Sequence, residues 1–322
     1  MDEKILPRQL CALTFCAFSV PAVGLLPRAG WLWAGLAAAV CAALLAALTA
    51  LCRKKGGSLA QLAGTCRAGR GCLWLCLLWN FLILGAAARY LCGVYPGSGA
   101  FPLTGALLLL LAAYASGKGV SAVARVSAIC FFFFLVLYGL LLGFSLPQMN
   151  PQWLRPVTRP RWLQLPAALC PVCALYLTDS CRSRGRLAGW LAGGTALALL
   201  AALVTAGCVC PEVAGAEPFA FYTMSKSISL FGTMERFEAL VSAALTAGGF
   251  CLLALLCLSN AAILRAVRPQ AEKYAPIGNF LLGGASIWLI AGVGMSVLAV
   301  GSAIFWGILP LLILSVAKRK KY

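Results

Sequence analysis

Leu163–Ser180 reads LQLPAALCPVCALYLTDS, an apolar run that is long enough for burial in a membrane but is interrupted by Pro166 and Pro171. Proline lacks a backbone N–H and its ring clashes with the preceding turn, so we expect this helix to open near Cys170–Ala174. In lipid, the backbone groups freed by a break need partners, so a break is tolerated only where it faces protein, water or a ligand. The residues expected to border a ligand-binding site are therefore Cys170, Pro171, Val172, Cys173 and Ala174.

A second stretch with the same character lies about 150 residues earlier, at Leu10–Pro27, LCALTFCAFSVPAVGLLP. Its apolar run is expected to break between Ser19 and Gly24, around Pro21. Two interrupted hydrophobic segments at corresponding positions of two halves are typical of a transporter-type binding site. The candidate ligand-binding residues of this stretch are Ser19, Val20, Pro21, Ala22, Val23 and Gly24.

The composition indicates a polytopic membrane protein. The 322 residues are 62% hydrophobic and only 11% charged, and the mean hydropathy is +0.93, which a soluble domain of this size does not sustain. The formal net charge is +18, but the cationic residues lie in short clusters between apolar runs, as membrane topology signals do. We therefore expect contact with membrane lipid and no nucleic-acid partner, because nucleic-acid binding needs a basic soluble surface.

The chain has sixteen cysteines and no histidine. Most of these cysteines lie inside apolar runs, where a free thiol behaves as a small hydrophobic group. Cys170 and Cys173 have CxxC spacing, but a metal site would need a second such pair or histidines. No metal, other cofactor or disulfide is predicted. An enzyme is not predicted either, since no buried carboxylate pair and no nucleophile beside a base can be found.

Ten segments are long and apolar enough to cross a bilayer, which requires ~20 residues per helix. They fall at roughly 8–27, 31–52, 72–93, 100–117, 120–144, 163–180, 187–209, 236–260, 276–295 and 297–317. With the N-terminus inside, 19 of the 26 lysines and arginines lie on the cytoplasmic side. The positive-inside rule therefore predicts an integral, multi-pass membrane protein with both termini in the cytoplasm.

The ten segments divide into two halves of five, a first repeat at about 1–145 and a second at about 163–317, within a single transmembrane domain covering 1–322. Each half opens with an interrupted helix, and five spans per repeat turn the second copy upside down. This is the pattern of the LeuT-type 5+5 inverted repeat with broken helices 1 and 6. Free N–H groups after the breaks would then favour a ligand carboxylate near Ala22–Gly24. The alternative is that the prolines only kink helices whose neighbours absorb the bend.

Three polar residues inside the apolar segments are further candidates for the ligand site. Asn80 lies near the middle of the third segment, where an amide needs partners and either joins helices or contacts a ligand. Ser242 and Thr246 lie one turn apart on the eighth segment. Their hydroxyls either bond to carbonyls of their own helix or join Ser19 around a cation or water.

Four short motifs stand out along the chain: KILPRQL at 4–10, GVSAVAR at 119–125, NPQWLRP at 150–156 and PFAFYTMSKSISLFGTMERFE at 218–238. The last of them ends in an E-R-x-E motif formed by Glu235, Arg236 and Glu238 and is the most specific. Together they resemble motifs of the endospore germination permeases, the B subunits of nutrient germinant receptors.

The resemblance implies a member of the amino acid, polyamine and organocation superfamily with the LeuT-type fold. It implies a receptor in the spore inner membrane that senses a small germinant, typically an amino acid, together with two partner subunits, A and C. It also implies a role in signalling or assembly for Glu235, Arg236 and Glu238. A secondary amino-acid transporter of the same superfamily remains the alternative function. The lack of a mid-membrane Asp or Glu argues against proton coupling in such a transporter.

Overall fold

The computed structural model of the chain describes residues 4–29, 31–65, 67–92, 103–154, 162–182, 187–210, 220–226 and 237–316. Nearly all of these residues are helical. The first six α-helices are α1 (Pro7–Gly24), α2 (Trp31–Lys55), α3 (Leu59–Gly64), α4 (Arg67–Cys92), α5 (Leu103–Gly117) and α6 (Val120–Ser145). A 3₁₀ helix at Trp162–Ser180, which we call the proline helix, comes next.

The later α-helices are α7 (Leu187–Cys208), α8 (Ala220–Lys226), α9 (Phe237–Val267), α10 (Ala275–Leu289), α11 (Met295–Ser302) and α12 (Leu309–Val316). A π-helical segment, Ala303–Ile308, joins α11 to α12. Short 3₁₀ turns cover Leu26–Ala29, Leu146–Gln148, Pro151–Leu154, Pro269–Tyr274 and Ile290–Gly292.

Within the described ranges, seven helical segments are long and apolar enough to cross a membrane. They are Gly35–Lys55, Arg67–Cys92, Val120–Ser145, Leu187–Cys208, Ala239–Val267, Pro269–Gly292 and Met295–Ser315. Leu103–Gly117 and Leu165–Ser180 are shorter apolar helices. The latter reaches further than its residue count suggests, because a 3₁₀ helix rises about 2.0 Å per residue and sixteen residues then span about 32 Å. The chain is an integral, multi-pass membrane protein.

Helix α1 lies at the centre of the bundle. Every residue from Leu10 to Gly24 is buried, and the helix packs against α6, α7, α9 and the proline helix. The Phe15 ring meets Phe131, Phe134 and Tyr138 edge to face, with centroids 5.0 to 6.1 Å apart. A helix that is apolar all round is stable when it is enclosed by other helices, so the sequence of α1 accounts for its position.

The expected break in the first apolar stretch does not occur. Helix α1 continues through Ser19 and Pro21 to Gly24, and the N–H of Leu25 donates to the carbonyl of Pro21 at 2.9 Å. Pro21 lies in the last turn of α1. Its missing N–H removes one helical hydrogen bond, but few helical residues follow it, so the helix ends there without a gap. The side-chain hydroxyl of Ser19 donates to the carbonyl of Phe15 at 2.8 Å, so it belongs to the helix rather than to an opening.

The expected opening at Cys170–Ala174 is also absent. The proline helix is continuous across Pro166 and Pro171, but it is wound as a 3₁₀ helix along its whole length. Runs of 3₁₀ helix beyond three or four residues are uncommon and mark strain or a functional element. The two prolines are therefore accommodated by tighter winding instead of a gap.

The end of the proline helix is fixed by the N-terminal segment and by the turn before α3. Ile5 and Cys181 form a parallel bridge, with hydrogen bonds of 2.8 Å from the Ile5 N–H to Ser180 and 2.9 Å from the Arg182 N–H to Ile5. Asp179 accepts the backbone N–H of Ser58 at 3.0 Å. These contacts hold one end of the proline helix beside α1 and α3.

Candidate ligand-binding site

A cavity of about 160 Å³ lies between α1, α4, the proline helix, α9 and α11. Both stretches that the sequence marks as interrupted contribute to its wall. Val20 and Pro21 come from α1, and Leu163, Pro166, Ala167 and Cys170 come from the proline helix. The remaining lining residues are Leu25, Ile83, Ala86, Ala87, Tyr90, Leu252, Met295, Leu298, Ala299, Ser302 and Trp306.

The wall of this cavity is almost entirely apolar. Its polar side-chain groups are the hydroxyls of Tyr90 and Ser302, the thiol of Cys170 and the indole N–H of Trp306, and none of its lining residues is charged. Binding sites for small molecules are commonly apolar with a few polar groups that fix orientation. The arrangement therefore suits a small ligand that is apolar over most of its surface.

Three of the sequence-predicted residues line the cavity, namely Val20, Pro21 and Cys170. The other candidates of the two interrupted stretches are buried in the surrounding packing and do not form its wall. These are Ser19, Ala22, Val23, Gly24, Pro171, Val172, Cys173 and Ala174. Because α1 does not restart after a break, the segment Ala22–Gly24 offers no helix N-terminus to a ligand carboxylate.

Asn80 contacts the cavity wall indirectly. It is 1% exposed, and its Oδ1 lies 3.5 Å from the indole Nε1 of Trp306, which lines the cavity. Its Nδ2 and the Nε1 of Trp79 find no hydrogen-bond partner among the described residues. Asn80 thus joins α4 to the π-helical segment that carries Trp306.

Ser242 and Thr246 lie away from the cavity on α9, whose contribution to the wall is Leu252. The hydroxyl of Thr246 donates to the Ser242 carbonyl at 2.7 Å, and Ser19 bonds within α1. Two of the three hydroxyls, those of Ser19 and Thr246, thus bond to carbonyls of their own helices, as the first of the two alternatives expects.

The E-R-x-E motif falls largely outside the described residues. Glu235 and Arg236 are not among them, and Glu238 is described only as part of the first turn of α9. Within the described residues, no group of three or more histidines, cysteines or carboxylates could hold a metal ion. Cys170 and Cys173 are buried free thiols.

Sequence reasoning missed the wall formed by α4, α11 and Trp306. Ile83, Ala86 and Ala299 are ordinary apolar residues of helices, and nothing in their spacing separates a cavity wall from a helix contact. The π-helical winding around Trp306 is the feature most often associated with function, and it has no local sequence signal here. Asn80 gave the one usable clue, since an intramembrane amide needs a partner.

The fold of the chain is similar to that of a solved membrane transporter. The chain is similar in structure to Mhp1, a nucleobase-cation-symport-1 family transporter solved in a closed conformation with bromovinylhydantoin bound, with a TM-score of 0.69 and 14% sequence identity. The likeness covers 97% of this chain and 78% of Mhp1.

A comparison with protein families finds a resemblance over part of the chain only. The family described as Spore germination protein, Spore_permease, matches residues 103–180, from the start of α5 to the end of the proline helix. The resemblance to the germination permeases that the sequence motifs indicate is thereby confirmed over this segment, which contains the motifs at 119–125 and 150–156. No curated protein matches the chain in sequence.

Proposed function

We propose that this protein is the membrane subunit of a spore nutrient germinant receptor. The cavity between α1, α4, the proline helix, α9 and α11 is its germinant site, and this cavity is the observation that carries the proposal. The family match at 103–180 supports the germination role. The proposal includes ten membrane-spanning helices in a single LeuT-type domain, with repeats at about 1–145 and 163–317.

The size and chemistry of the cavity favour a small germinant with an apolar side chain, such as an apolar amino acid. A buried apolar cavity of about 150 Å³ accepts a molecule the size of benzene, and this one is about 160 Å³. The apolar side chain would lie against Pro21 and Cys170. Because the cavity is partly open, the charged ends of an amino acid would stay toward its mouth, since an unpaired charge is costly to bury.

The remaining parts of the proposal concern setting and partners. The protein would lie in the spore inner membrane with both termini in the cytoplasm, and it would pass its signal to subunits A and C. Ligand binding would shift a conformational equilibrium of the bundle, to an extent set by its different affinities for the two states. The candidate signalling or assembly residues remain Glu235, Arg236 and Glu238.

A secondary amino-acid transporter is the second candidate function, favoured by the fold shared with Mhp1, which is a transporter. The two functions predict different results for the same protein. A receptor would initiate germination in response to the amino acid without accumulating it, whereas a transporter in proteoliposomes would carry the labelled amino acid across the bilayer.

The proposed germinant site can be tested with a substitution that fills part of the cavity. Ala86→Leu adds bulk to the cavity wall on α4, and Ala285→Leu makes the same change on the exposed face of α10. In spores that depend on this receptor, we expect Ala86→Leu to raise the half-effective amino-acid concentration about tenfold or more, which corresponds to losing about 1.4 kcal/mol of binding. Ala285→Leu should respond as the native protein does. An unchanged dose response for Ala86→Leu at native membrane abundance would contradict this assignment of the site.

A further inference from the structure

A second cavity, of about 830 Å³, lies at the end of the bundle where α5 meets α6 and α9 meets α10. It is lined by residues of those four helices, the end of the proline helix and the turn Pro269–Tyr274. We call it the basic cavity. It shares no lining residue with the germinant cavity, so its occupant need not be the germinant.

Four cationic side chains and one carboxylate line the basic cavity: Lys118, Arg125, Arg265, Lys273 and Glu272. Arg265 forms an ion pair with Glu272. Cationic side chains therefore outnumber carboxylates among the lining residues. A cluster of cations around an open space attracts an anion.

Two lysines that line the basic cavity each lie against an exposed tyrosine. Lys118 Nζ lies 5.0 Å from the ring centroid of Tyr114, and Lys273 Nζ lies 4.8 Å from that of Tyr274. These two rings are 63% and 58% exposed. Tyrosines on the outer surface of a membrane protein concentrate at the height of the lipid headgroups, so both ammonium groups are held at that height.

Apolar surface continues from both tyrosines along the outside of the bundle. Leu110 and Leu111 lie one turn before Tyr114 on α5, and all three are exposed. Ile277 and Leu281 follow Tyr274 on α10 and are exposed as well. A cationic cavity bordered by such surfaces presents charge to a headgroup and hydrocarbon contact to its acyl chains.

We propose that the basic cavity binds the phosphate-bearing headgroup of an anionic phospholipid. Lys118, Arg125 and Lys273 surround the phosphate, while the acyl chains lie against the apolar faces of α5 and α10. The volume of about 830 Å³ is in the range that holds sizeable ligands. A bound lipid would join the α5–α6 junction to the α9–α10 junction and so stabilise this end of the bundle.

The experiment measures thermal unfolding of the purified full chain in neutral detergent while a lipid is titrated in. The probes are phosphatidylglycerol, phosphatidylcholine with the same acyl chains, and inorganic phosphate. We expect phosphatidylglycerol to raise the melting temperature and the other two to have little effect. High salt should weaken the effect of phosphatidylglycerol in the native protein, because the contact is electrostatic.

Variants test whether stabilisation by phosphatidylglycerol depends on the basic cavity. Replacing both Lys118 and Arg125 by glutamine should weaken the apparent affinity for phosphatidylglycerol about 30-fold, given the contribution of each cation near an anionic lipid. Replacing Arg53 and Lys54 by glutamine removes the same charge from the end of α2, outside the cavity, and should leave the affinity unchanged. Lys273→Gln is the alternative variant if the double replacement does not fold.

Three outcomes would overturn the proposal. Equal stabilisation by phosphatidylcholine would mean that hydrocarbon contact alone is responsible. Protection by inorganic phosphate at the same concentration would assign the cavity to a free anion. An equal loss of affinity in the Arg53 and Lys54 variant would mean that the cations act through the overall charge of the protein.

Discussion

Replacing Gly301 by alanine tests the packing behind the cavity between α1, α4, the proline helix, α9 and α11. A Cβ on Gly301 would lie 2.6 Å from Cζ2 of Trp79 and closer still to two other carbons of the same ring. The indole has little room to move, because it is 6% exposed and stacks on Phe305 with centroids 5.1 Å apart. Phe305 precedes Trp306, so a displaced Trp79 would press on the cavity wall.

The size of the effect follows from two opposing contributions. Overpacking a well-filled interior destabilises by about 1–3 kcal/mol, while alanine in place of glycine inside a helix stabilises by about 1 kcal/mol. Gly301→Ala should therefore range from nearly neutral to about 2 kcal/mol destabilising. Gly139→Ala on α6 is the control, because its Cβ would meet nothing within 4 Å. The difference between the two variants isolates the clash.

The assay is thermal unfolding of both purified proteins in the same detergent at one scan rate, because unfolding of such proteins is often irreversible. In soluble chains of 150–250 residues, 1 kcal/mol corresponds to about 2–4 °C. We expect Gly301→Ala to melt several degrees below Gly139→Ala, and Trp79→Phe to restore much of the difference when combined with Gly301→Ala. Equal melting temperatures for the two single variants would refute the contact between Gly301 and Trp79.

Three further predictions concern polar contacts and use the same unfolding assay. Ser286→Ala removes a 2.7 Å hydrogen bond from α10 to a carbonyl of α4 and should destabilise the protein by about 0.6 kcal/mol. The hydroxyl of Ser315 bonds within its own helix, so Ser315→Ala should have a smaller effect. A larger loss of stability in Ser315→Ala than in Ser286→Ala would contradict the prediction. Asn279→Ala leaves a buried amide of α9 without its 2.9 Å acceptor and should destabilise by about 1–3 kcal/mol, so a neutral result would show that another group replaces it. Asp179→Ala removes the acceptor of the Ser58 N–H and should lower the melting temperature, whereas Asp179→Asn, which keeps an acceptor oxygen, should lower it less.

The sequence singles out two helices that meet at the cavity of about 160 Å³, because proline inside a long apolar run is a strong local signal. Val20, Pro21 and Cys170 do line that cavity. The opposite wall was not predictable in the same way. Ile83 on α4 and Leu252 on α9 are apolar residues of apolar helices, and only the packing of distant segments leaves space beside them.

The predicted breaks in the two proline-containing helices are absent for a different reason. Proline excludes one backbone hydrogen bond and crowds the preceding turn, but several backbone conformations satisfy that constraint. An open gap is one of them, and the continuous 3₁₀ winding across Pro166 and Pro171 is another. The choice depends on neighbouring helices, such as α9, where the hydroxyl of Ser259 donates to the Cys173 carbonyl at 3.0 Å. A local sequence pattern does not contain that contact.

Asn80 shows how an intramembrane polar residue can mark a site without lining it. An amide inside an apolar helix favours a hydrogen-bond partner, so its presence predicts a polar group nearby. That group is the indole of Trp306 at 3.5 Å, which is apolar enough to face the cavity and polar enough to bond to Asn80 through its one donor. The hydrogen bond limits rotation of the indole ring, which lines the cavity. Asn80 therefore contributes to the shape of the cavity through Trp306, while the cavity wall remains almost entirely apolar.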